Sequence, residues 1–404
     1  MSNRNNNSLY GLSGESILCF AGEDWWYHHP HSKNHILKRL AADNRVLFVN
    51  SITMGLPSVS NPDFFLKIRR KLPSYMRWLR RVPEGLYVMT PISLPFYGSR
   101  LLRTVNRWLL VFQLRVVMLL LKMHRPVLWV AIPSAADLLD ALHSRLVLYQ
   151  VSDKYEANED SVLSRQVIQQ MDCMLKDRAS MVMYSGRKLF AEADVSKRYF
   201  LEQAVDFAHF ATPAAKTAEE LRSVPRPVLG YFGAMDYVMD VELIQHVARV
   251  RPDWHWVLIG RKSNLVQVSE PNVHFVGPQP YSDLPKFVRH IDVFVLPWRQ
   301  DNVFTSYGSA IKVREYLATG KPVVISPLHE YLDTPGVCIY RSTEEFIAHV
   351  DHALKCDSPA DRELRQSVVR NCTWDVRARE VGELITRLLE NSSPPPKIAT
   401  LNVQ

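Results

Sequence analysis

Short, continuous runs of apolar residues alternate along this chain with longer segments of helical period. Such runs lie at residues 17–21, 46–50, 86–90, 127–132, 146–151, 228–232, 256–259, 273–276, 293–296 and 322–325. Continuous Val, Ile and Leu runs are typical of strands that are covered on both faces, as in a parallel sheet. Helical segments between them, at residues 35–42, 241–250 and 313–318, favour right-handed βαβ crossovers. The pattern predicts an α/β fold built from doubly wound sheets.

The length of the chain and a break in this pattern divide it into domains. A single hydrophobic core stops growing at about 250–300 residues, and this chain has 404. Prolines and polar residues cluster at 212–227, and the alternation then restarts. We therefore predict two Rossmann-like domains facing a cleft, at residues 1–215 and 216–390. Residues 391–404 are rich in proline and polar residues and are expected to form a disordered tail.

Charge and cysteine content restrict the partners only coarsely. The formal net charge of +8 is compatible with nucleic acid, an anionic membrane or a phosphorylated substrate. The five cysteines are far apart and lack CxxC spacing, which argues against a disulfide framework and favours a reducing cytoplasm. The polar N-terminus predicts no signal peptide. Gln113 and Arg115 interrupt the most apolar stretch, so we expect no transmembrane helix.

The segment at residues 293–325 carries the clearest sign of a ligand site. A buried strand leads into a polar loop, then into a helix that starts near Ser309. Ligands of open α/β sheets bind beyond the carboxyl ends of the strands, and a helix N-terminus suits a phosphate. Lys312 can add a full charge to a diphosphate, and Glu315, about one turn later, can accept both hydroxyls of a ribose. The alternative is a solvated surface pair of lysine and glutamate.

The sequence around this pair resembles a known signature. Residues 309–324 read SAIKVREYLATGKPVV and resemble the nucleotide-binding signature of group 1 glycosyltransferases with the GT-B fold. They are more closely similar to bacterial exopolysaccharide and teichuronic-acid transferases. Further matches are GYFG at 230–233, IGR at 259–261 and NVHFVG at 272–277, with weaker ones at 22–26 and 149–153.

The resemblance implies a role for each matching residue. Lys312 would hold the diphosphate, Glu315 the ribose and Arg261 the diphosphate as a second cation, while Gly233 would let the backbone approach a phosphate closely. Backbone near Gly277 would hold the base, and Tyr281 would stack on it. An exposed loop arginine and a packed tyrosine are the alternatives for Arg261 and Tyr281. The resemblance implies UDP, with GDP as the alternative, and no cofactor.

One position departs from the family pattern. Many members carry a glutamate seven residues before the second glutamate, and it contacts the donor sugar. Gly308 stands at that position here. The neighbouring loop offers Asp301, Asn302 and Tyr307 instead. The sequence therefore leaves open whether the transfer retains or inverts the anomeric configuration.

An inverting transfer needs a group that takes the proton of the acceptor, and in this fold that group comes from the N-terminal domain. Asp153 follows the strand at 146–151 and is our first candidate, with Glu23 and Asp24 next. Helix capping is the alternative role for Asp153. The histidines His28, His29 and His31 lack metal-ligand spacing, and no DxD motif follows a strand. We therefore predict no metal site.

Residues 62–125 are expected to form a basic, aromatic insert that faces a membrane. Lys and Arg alternate with Phe, Tyr and Trp at 62–82, which suits anionic lipid. A solvated helical face is the alternative, and no RNA motif accompanies the patch. We therefore expect a cytoplasmic protein that is peripheral to the inner face of the cell membrane and binds no nucleic acid.

Taken together, the sequence predicts a metal-independent glycosyltransferase. It would move a sugar from a UDP-sugar to a lipid-linked saccharide in surface polysaccharide biosynthesis. The alternatives are a nucleotide-sugar epimerase or phosphorylase of the same fold and a non-catalytic subunit that binds a nucleotide sugar. A Rossmann dehydrogenase is disfavoured because GEDWWY follows the first strand where a GxGxxG motif is expected.

Overall fold

The computed structural model describes residues 8–26, 29–52, 76–93, 100–157, 165–194, 196–212 and 214–391. Within this part of the chain, the strands form two separate sheets with helices packed against them. The predicted α/β class with two doubly wound sheets is confirmed. The predicted tail, apart from Asn391, and residues 62–75 and 94–99 of the predicted insert lie outside the described residues.

The first sheet is built from the N-terminal half of the chain. Its strands are β1 (Ser16–Phe20), β2 (Arg45–Val49), β3 (Leu79–Arg81), β4 (Tyr87–Met89), β5 (Val127–Val130), β6 (Leu146–Val151), β7 (Met181–Tyr184) and β8 (Arg198–Phe200). Their order is β3-β4-β2-β1-β5-β6-β7-β8, and every pair is parallel except β3 with β4. Leu18 and Phe20 enter one apolar core, and Ile17 and Cys19 enter another. Both faces of β1 are therefore buried, as its continuous apolar run predicts.

The second sheet is entirely parallel. Its strands are β9 (Val228–Phe232), β10 (His255–Ile259), β11 (Val273–Gly277), β12 (Val293–Leu296), β13 (Val323–Ile325) and β14 (Val337–Ile339), in the order β11-β10-β9-β12-β13-β14. The chain runs outward from β9 to β11 and returns to the other side of β9 with β12. The direction of winding changes between β9 and β12, so a crevice is expected at their carboxyl ends.

The helices cover the sheets and connect them. They are α1 (Ser32–Leu40), α2 (Arg100–Leu120), α3 (Arg165–Arg178), α4 (Arg187–Ala191), α5 (Phe207–Ala211), α6 (Val241–Val250), α7 (Leu284–Val288), α8 (Val303–Ser306), α9 (Ile311–Thr319), α10 (Thr343–Cys356), α11 (Pro359–Val369) and α12 (Trp374–Asn391). The helix predicted to begin at His35 thus begins at Ser32. Asp240 caps α6 by accepting a hydrogen bond from the Leu243 amide at 2.9 Å, as its position before the helix predicts.

The last helix packs against the first sheet, although it follows the second sheet in sequence. Trp374, Ala378 and Val381 of α12 are buried in the same core as Ile17 and Cys19 of β1. The domain boundaries stay a prediction, but the apolar stripe of α12 places residues 374–389 with the N-terminal core rather than with residues 216–369.

Charged side chains also connect the two halves of the chain. Arg314 on α9 is buried and lies 3.0 Å from Glu202, which follows β8. Glu330, which follows β13, accepts a hydrogen bond at 2.8 Å from the backbone amide of Arg187 at the start of α4. The first pair joins the start of α9 to the first domain, and the second joins the segment after β13 to it.

Helix α2 presents apolar side chains on two faces. Leu110, Leu114 and Val117 are buried in the core of the first sheet. An opposite stripe is exposed and consists of Leu101, Val105, Trp108, Phe112 and Leu119, spaced three, four or seven residues apart. No helix in the described ranges has the length and apolarity needed to cross a membrane.

Candidate functional site

Glycine turns form the carboxyl edge of the second sheet. Gly233 and Gly260 directly follow β9 and β10, Gly277 ends β11, and the φ angles of the three are +142°, +141° and +78°. A Cβ atom at Gly260 would collide with the carbonyl oxygen of Gly233. This edge of the sheet therefore consists of main chain, to which an anionic group can come close.

Lys312 lies beside this edge, in the first turn of α9. Its Nζ atom donates a hydrogen bond to the Tyr231 hydroxyl at 3.0 Å and lies 4.8 and 4.9 Å from the ring centroids of Tyr231 and Trp298. A Cβ atom at Gly233 would collide with the ammonium group. Among the described residues, no carboxylate forms an ion pair with Lys312. Its positive charge is thus held by two aromatic rings at a helix N-terminus, where an anion is favoured.

Glu315 lies one turn after Lys312 and is buried, with 7% of its surface exposed. Burial raises the pKa of Glu315 to about 7, while the adjacent Tyr281 hydroxyl and the charge of Lys312 oppose this rise. The carboxyl group is therefore protonated in a large fraction of molecules at neutral pH. A ligand that donates two hydrogen bonds, such as a ribose, would favour the ionised form.

Other aromatic side chains pack against the ring of Tyr281. It stacks on His209 with a centroid distance of 4.8 Å and meets the edges of His35 and Phe210 at 5.6 Å each. These contacts agree with the alternative role of Tyr281, in which its ring packs against other side chains of the protein. Its stacking on a base stays a prediction, with one ring face already covered by His209.

Arg261 and Tyr307, which are also predicted to bind the sugar donor, lie in different surroundings. Arg261 is exposed and forms no ion pair among the described residues, and its carbonyl oxygen accepts a hydrogen bond from the Met235 amide at 2.8 Å. Tyr307 instead reaches the first domain, where its hydroxyl donates to Glu192 at 2.6 Å. The ammonium groups of Lys154 and Lys188 each lie 4.1 Å from the Tyr307 ring centroid. Tyr307 therefore connects the loop before α9 to the first domain.

Gly308, where the chain departs from the family pattern, lies close to one backbone group. A Cβ atom there would lie 3.1 Å from the Thr305 carbonyl oxygen, which would have to shift slightly, and 3.5 Å from the Trp298 ring, an ordinary van der Waals contact. Of the alternatives named for this loop, Asn302 caps α8, and the exposed Asp301 pairs with Arg299 at 2.9 Å.

On the side of the first domain, Asp153 follows β6 and lines a cavity. Burial raises its pKa to about 6, the charge of Lys33 lowers it, and the charge of Glu23 raises it. Glu23 and Lys33 are themselves buried and form an ion pair at 2.8 Å. Asp24 lies in the same loop as Glu23, and its Oδ1 atom accepts a hydrogen bond from the Trp26 amide at 2.9 Å. Of the three predicted candidates, Glu23 is thus paired with a buried lysine, and the charges of this pair act in opposite directions on the pKa of Asp153.

The cavity has a volume of about 350 Å³ and lies between Asp153 and Tyr307. Lys154, Lys176 and Glu192 also line it. Tyr184 lines it as well; this side chain is 2% exposed, and its buried hydroxyl has no hydrogen-bond partner among the described residues. A buried polar atom without a partner is costly, so this cavity is suited to a ligand that supplies hydrogen bonds.

Sequence reasoning missed Lys33 and Tyr184. Lys33 lies at a core-facing position of α1, where Ile36, Leu37 and Leu40 continue the apolar stripe. A lysine at such a position is visible in the sequence once the helix is extended back to Ser32. Tyr184 carries no comparable signal, since a tyrosine at the end of a strand is ordinary.

No metal centre is found in the part of the chain that the structure describes. His28 lies outside it, and His31 precedes α1 as its N-terminal cap residue. Within the described ranges, no group of three or more His, Cys, Asp or Glu side chains is close enough to hold a metal ion.

Comparison with known proteins supports the resemblance seen in the sequence. Residues 226–356 match the family model of "Glycosyl transferases group 1". A relative from Bacillus subtilis (strain 168) is TuaH, assigned as a teichuronic acid biosynthesis glycosyltransferase. It is 27% identical over 287 residues, which cover 64% of this chain and 71% of TuaH.

Solved structures agree in fold at low sequence identity. Sucrose-phosphate synthase from Thermosynechococcus elongatus aligns over 93% of this chain and 100% of its own, with a TM-score of 0.69 and 12% identity. Anabaena HepE in complex with UDP and glucose aligns over 92% of this chain and 99% of its own, with a TM-score of 0.62 and 12% identity. The predicted GT-B fold is confirmed, and so is the resemblance to group 1 glycosyltransferases.

The raised pKa of Glu315 predicts how its substitution changes stability with pH. Between an unfolded pKa of about 4.5 and a folded pKa of about 7, the native protein holds a proton that the unfolded chain has lost. Stability from this group is therefore present at acid pH and lost as pH rises to 7. We expect Glu315→Gln to increase the free energy of unfolding at pH 8 by about 1–3 kcal/mol and to have little effect at pH 5.

Urea denaturation of both proteins at the two pH values measures this difference. Glu390→Gln, on the exposed side of α12, serves as the control and is expected to show no pH-dependent gain. An equal effect of Glu315→Gln at pH 5 and pH 8 would contradict the raised pKa.

Proposed function

We propose that this chain, a glycosyltransferase with the GT-B fold, transfers a sugar from a UDP-sugar to a lipid-linked saccharide in surface polysaccharide biosynthesis. The observation that carries the proposal is the pair of Lys312 and Glu315. The ammonium, which forms no ion pair among the described residues, lies at a main-chain edge built by glycines, and the buried carboxyl lies one turn away. One nucleoside diphosphate requires a cation that binds its diphosphate and a hydrogen-bond acceptor that binds its ribose hydroxyls.

The donor would be held between the glycine edge and the start of α9. Its diphosphate would meet Lys312 and the free amides of the helix N-terminus, which stabilise the negative charge that grows as the diphosphate leaves. The choice of UDP is supported by the likeness to HepE, a protein solved with UDP and glucose. No step of this arrangement requires a metal ion.

The acceptor would enter the cavity that Asp153 lines on the opposite side. There, the acceptor oxygen bonds to the anomeric carbon of the donor, the bond from that carbon to the diphosphate breaks, and UDP leaves with the bonding electrons. Asp153 takes the proton of the acceptor hydroxyl, a role for which a pKa of about 6 is suitable at neutral pH. The Tyr184 hydroxyl supplies a hydrogen bond to the saccharide.

The exposed stripe of α2 supports a peripheral position at the inner face of the cell membrane. Trp108 and Phe112 are 69% and 68% exposed, and Arg107 and Arg115 on the same helix are exposed as well. Aromatic residues flanked by arginines are typical of surfaces that bind anionic lipid. Such contact would bring the cavity to an acceptor that is anchored in the membrane. The likeness to TuaH supports polysaccharide biosynthesis as the setting.

Binding of UDP tests the donor site. We expect Lys312→Met to weaken UDP binding about 10- to 100-fold, because a charge-assisted contact worth about 1.5–3 kcal/mol is lost. Glu315→Gln should lower the affinity for UDP about tenfold. It should leave the affinity for 2′,3′-dideoxy-UDP unchanged, since that nucleotide offers no ribose hydroxyls. Isothermal titration calorimetry measures both effects.

Lys355→Met, at an exposed lysine on α10, is the matched control and should bind UDP like the unaltered protein. Unchanged UDP affinity in Lys312→Met would contradict the donor site. Equal losses of UDP and of the dideoxy nucleotide in Glu315→Gln would contradict the ribose contact.

Transfer of labelled sugar from UDP-sugars to a lipid extract of the host cells tests the reaction. We expect Asp153→Asn to lower turnover at least 100-fold, because positioned bases contribute about 10²–10⁴-fold, with UDP affinity within twofold of the unaltered protein. Asp24→Asn should retain most activity. If Asp24→Asn loses activity and Asp153→Asn does not, the base is misassigned. A nucleotide-binding subunit without activity would show UDP binding but no transfer.

Vesicle binding tests the membrane contact. We expect the protein to sediment with vesicles that contain phosphatidylglycerol, less so with phosphatidylcholine alone, and less at high salt. The double substitution Trp108→Ser with Phe112→Ser should weaken this binding at least tenfold, because both rings lose their burial in lipid. Leu265→Ser, at a residue 58% exposed in the other domain, is the control. Equal binding of all three proteins would contradict the proposal.

A further inference from the structure

Arg314 lies in an unfavourable place for a cation. It is buried near the N-terminus of α9, with 6% of its surface exposed. Little water surrounds its guanidinium group, and the helix dipole disfavours a positive charge at this end of a helix. A buried guanidinium is costly unless carboxylates compensate its charge. The position of α9 therefore depends on the carboxylates that pair with Arg314.

One nitrogen atom of Arg314 contacts carboxylates of both domains. Its Nη2 atom donates to Glu202 at 3.0 Å and lies 3.5 Å from Glu330. Glu202 follows β8 of the first sheet, whereas Glu330 follows β13 of the second sheet. The shorter of the two ion pairs thus crosses from one domain to the other.

Two further arginines approach the same carboxylates from the first domain. Arg187, at the start of α4, lies 3.7 Å from Glu202 and 3.5 Å from Glu330. Arg377 of α12 lies 3.5 Å from Glu202. Each glutamate therefore has an arginine neighbour besides Arg314. Loss of the Arg314 side chain would leave neither carboxylate without a cation, so a variant that lacks it is expected to fold.

A second contact joins the same segment of the chain to the first domain. Tyr307, which lies before α9, donates to Glu192 at 2.6 Å. Lys312 lies between Tyr307 and Arg314 in sequence, so both ends of the segment that carries this lysine contact the first domain. The proposed diphosphate site is thus fixed relative to the cavity that Asp153 and Tyr307 line.

We infer that Arg314 is a positioning residue of the transfer reaction, whose ion pair with Glu202 keeps the donor-binding start of α9 against the first domain. The link to transfer rests on the proposed function, whereas the contact between the domains does not. Arg314 would contact neither substrate. UDP would bind Lys312 and Glu315 of the second domain, so its affinity should not depend on Arg314, whereas the approach of donor and acceptor should.

The chain offers its own pair of labelling sites for a measurement of this contact. Cys173 on α3 and Cys356 at the end of α10 are exposed, one in each domain. Cys338 and Cys372 are partly buried and are replaced by alanine, and the fifth cysteine is buried. Nitroxide labels on the two exposed cysteines report the distance between the domains by double electron–electron resonance. We expect the distribution to become about twice as broad in Arg314→Met, since domains joined by weaker contacts move relative to each other.

Three further variants make the measurement specific. Glu202→Gln removes the nearer carboxylate from the other side of the contact and should broaden the distribution as well. Arg314→Lys retains the charge and should restore the original width. Arg249→Met, which removes an exposed pair with Glu270 at 3.6 Å inside the second domain, is the matched control and should leave the width unchanged.

Kinetics and binding separate positioning from donor binding. We expect Arg314→Met to lower kcat for sugar transfer at least about tenfold, because a misplacement of about 1 Å can cost about 100-fold. Its UDP affinity in isothermal titration calorimetry should stay within about twofold, the pattern of an interaction that acts on the transfer step rather than on donor binding. Arg314→Lys should recover most of the lost kcat, and Lys312→Met should instead lose UDP affinity.

The outcomes separate the inference from the proposed function. Equal widths of the distance distribution in every folded variant would overturn the inference, whatever the activity. A loss of UDP affinity in Arg314→Met as large as that in Lys312→Met would also overturn it, because the arginine would then act on the donor. If circular dichroism shows that Arg314→Met does not fold, the width in Glu202→Gln decides the question. Absence of transfer in the unaltered protein would overturn the proposed function, while the distance measurement would still test the contact between the domains.

Discussion

The first turns of helix α9 contact three parts of the molecule: the glycine turns at the edge of the second sheet, the apolar core and the first domain. Successive side chains of a helix point about 100° apart, so neighbouring residues reach different surroundings. Lys312 reaches the glycine edge, Arg314 reaches Glu202 of the first domain, and Glu315 reaches Tyr281. Tyr316 fixes the rotation of the helix about its axis, because its ring stacks in the core and its hydroxyl accepts a hydrogen bond from the Phe232 amide at 3.2 Å. A rotation of this helix would displace all of these contacts together.

On each side of the candidate site lies a carboxyl group whose ionisation is disfavoured by its surroundings. The pKa values of Glu315 and Asp153 are both raised by burial, which means that their ionised forms are destabilised before any ligand binds. Buried carboxyl groups of this kind lower stability and are found where binding or catalysis requires them. A donor hydroxyl pair at Glu315 would compensate part of this cost, so ligand binding and stability are coupled at this residue.

Much of the fold could be predicted because buried parallel strands leave continuous apolar runs in the sequence. The strands at 146–151, 228–232 and 293–296 have the predicted bounds. Strands β3, β7, β8 and β14 were missed. Strands β3, β8 and β14 are three residues long and none is fully buried, whereas β7 is four residues long and its last three residues are buried, so its apolar run could have been predicted. The return of α12 to the first domain could not be predicted either, because an amphipathic helix shows that it packs but not against which partner.

The candidate site was predictable to a different degree on its two sides. Lys312 and Glu315 lie within one segment, so their spacing on a helix shows that they share a face. Lys33, Glu23 and Asp153 come from three separate elements, and only the folded structure shows that Lys33 pairs with Glu23 and that the charges of both act on Asp153. Gly308 shows a third case, in which the missing family glutamate is visible in sequence but the close approach of the Thr305 carbonyl oxygen is not.

Helix α1 links these two sides through residues only two positions apart. Lys33 pairs with Glu23, and the charges of both act on Asp153, whereas His35 stacks on Trp374 at 4.8 Å and meets the edge of Tyr281, the neighbour of Glu315. Burial lowers the pKa of His35 to about 3, so the ring stays neutral at the pH values at which Asp153 and Glu315 titrate. The contact that His35 makes with Tyr281 and Trp374 therefore carries no charge at those pH values.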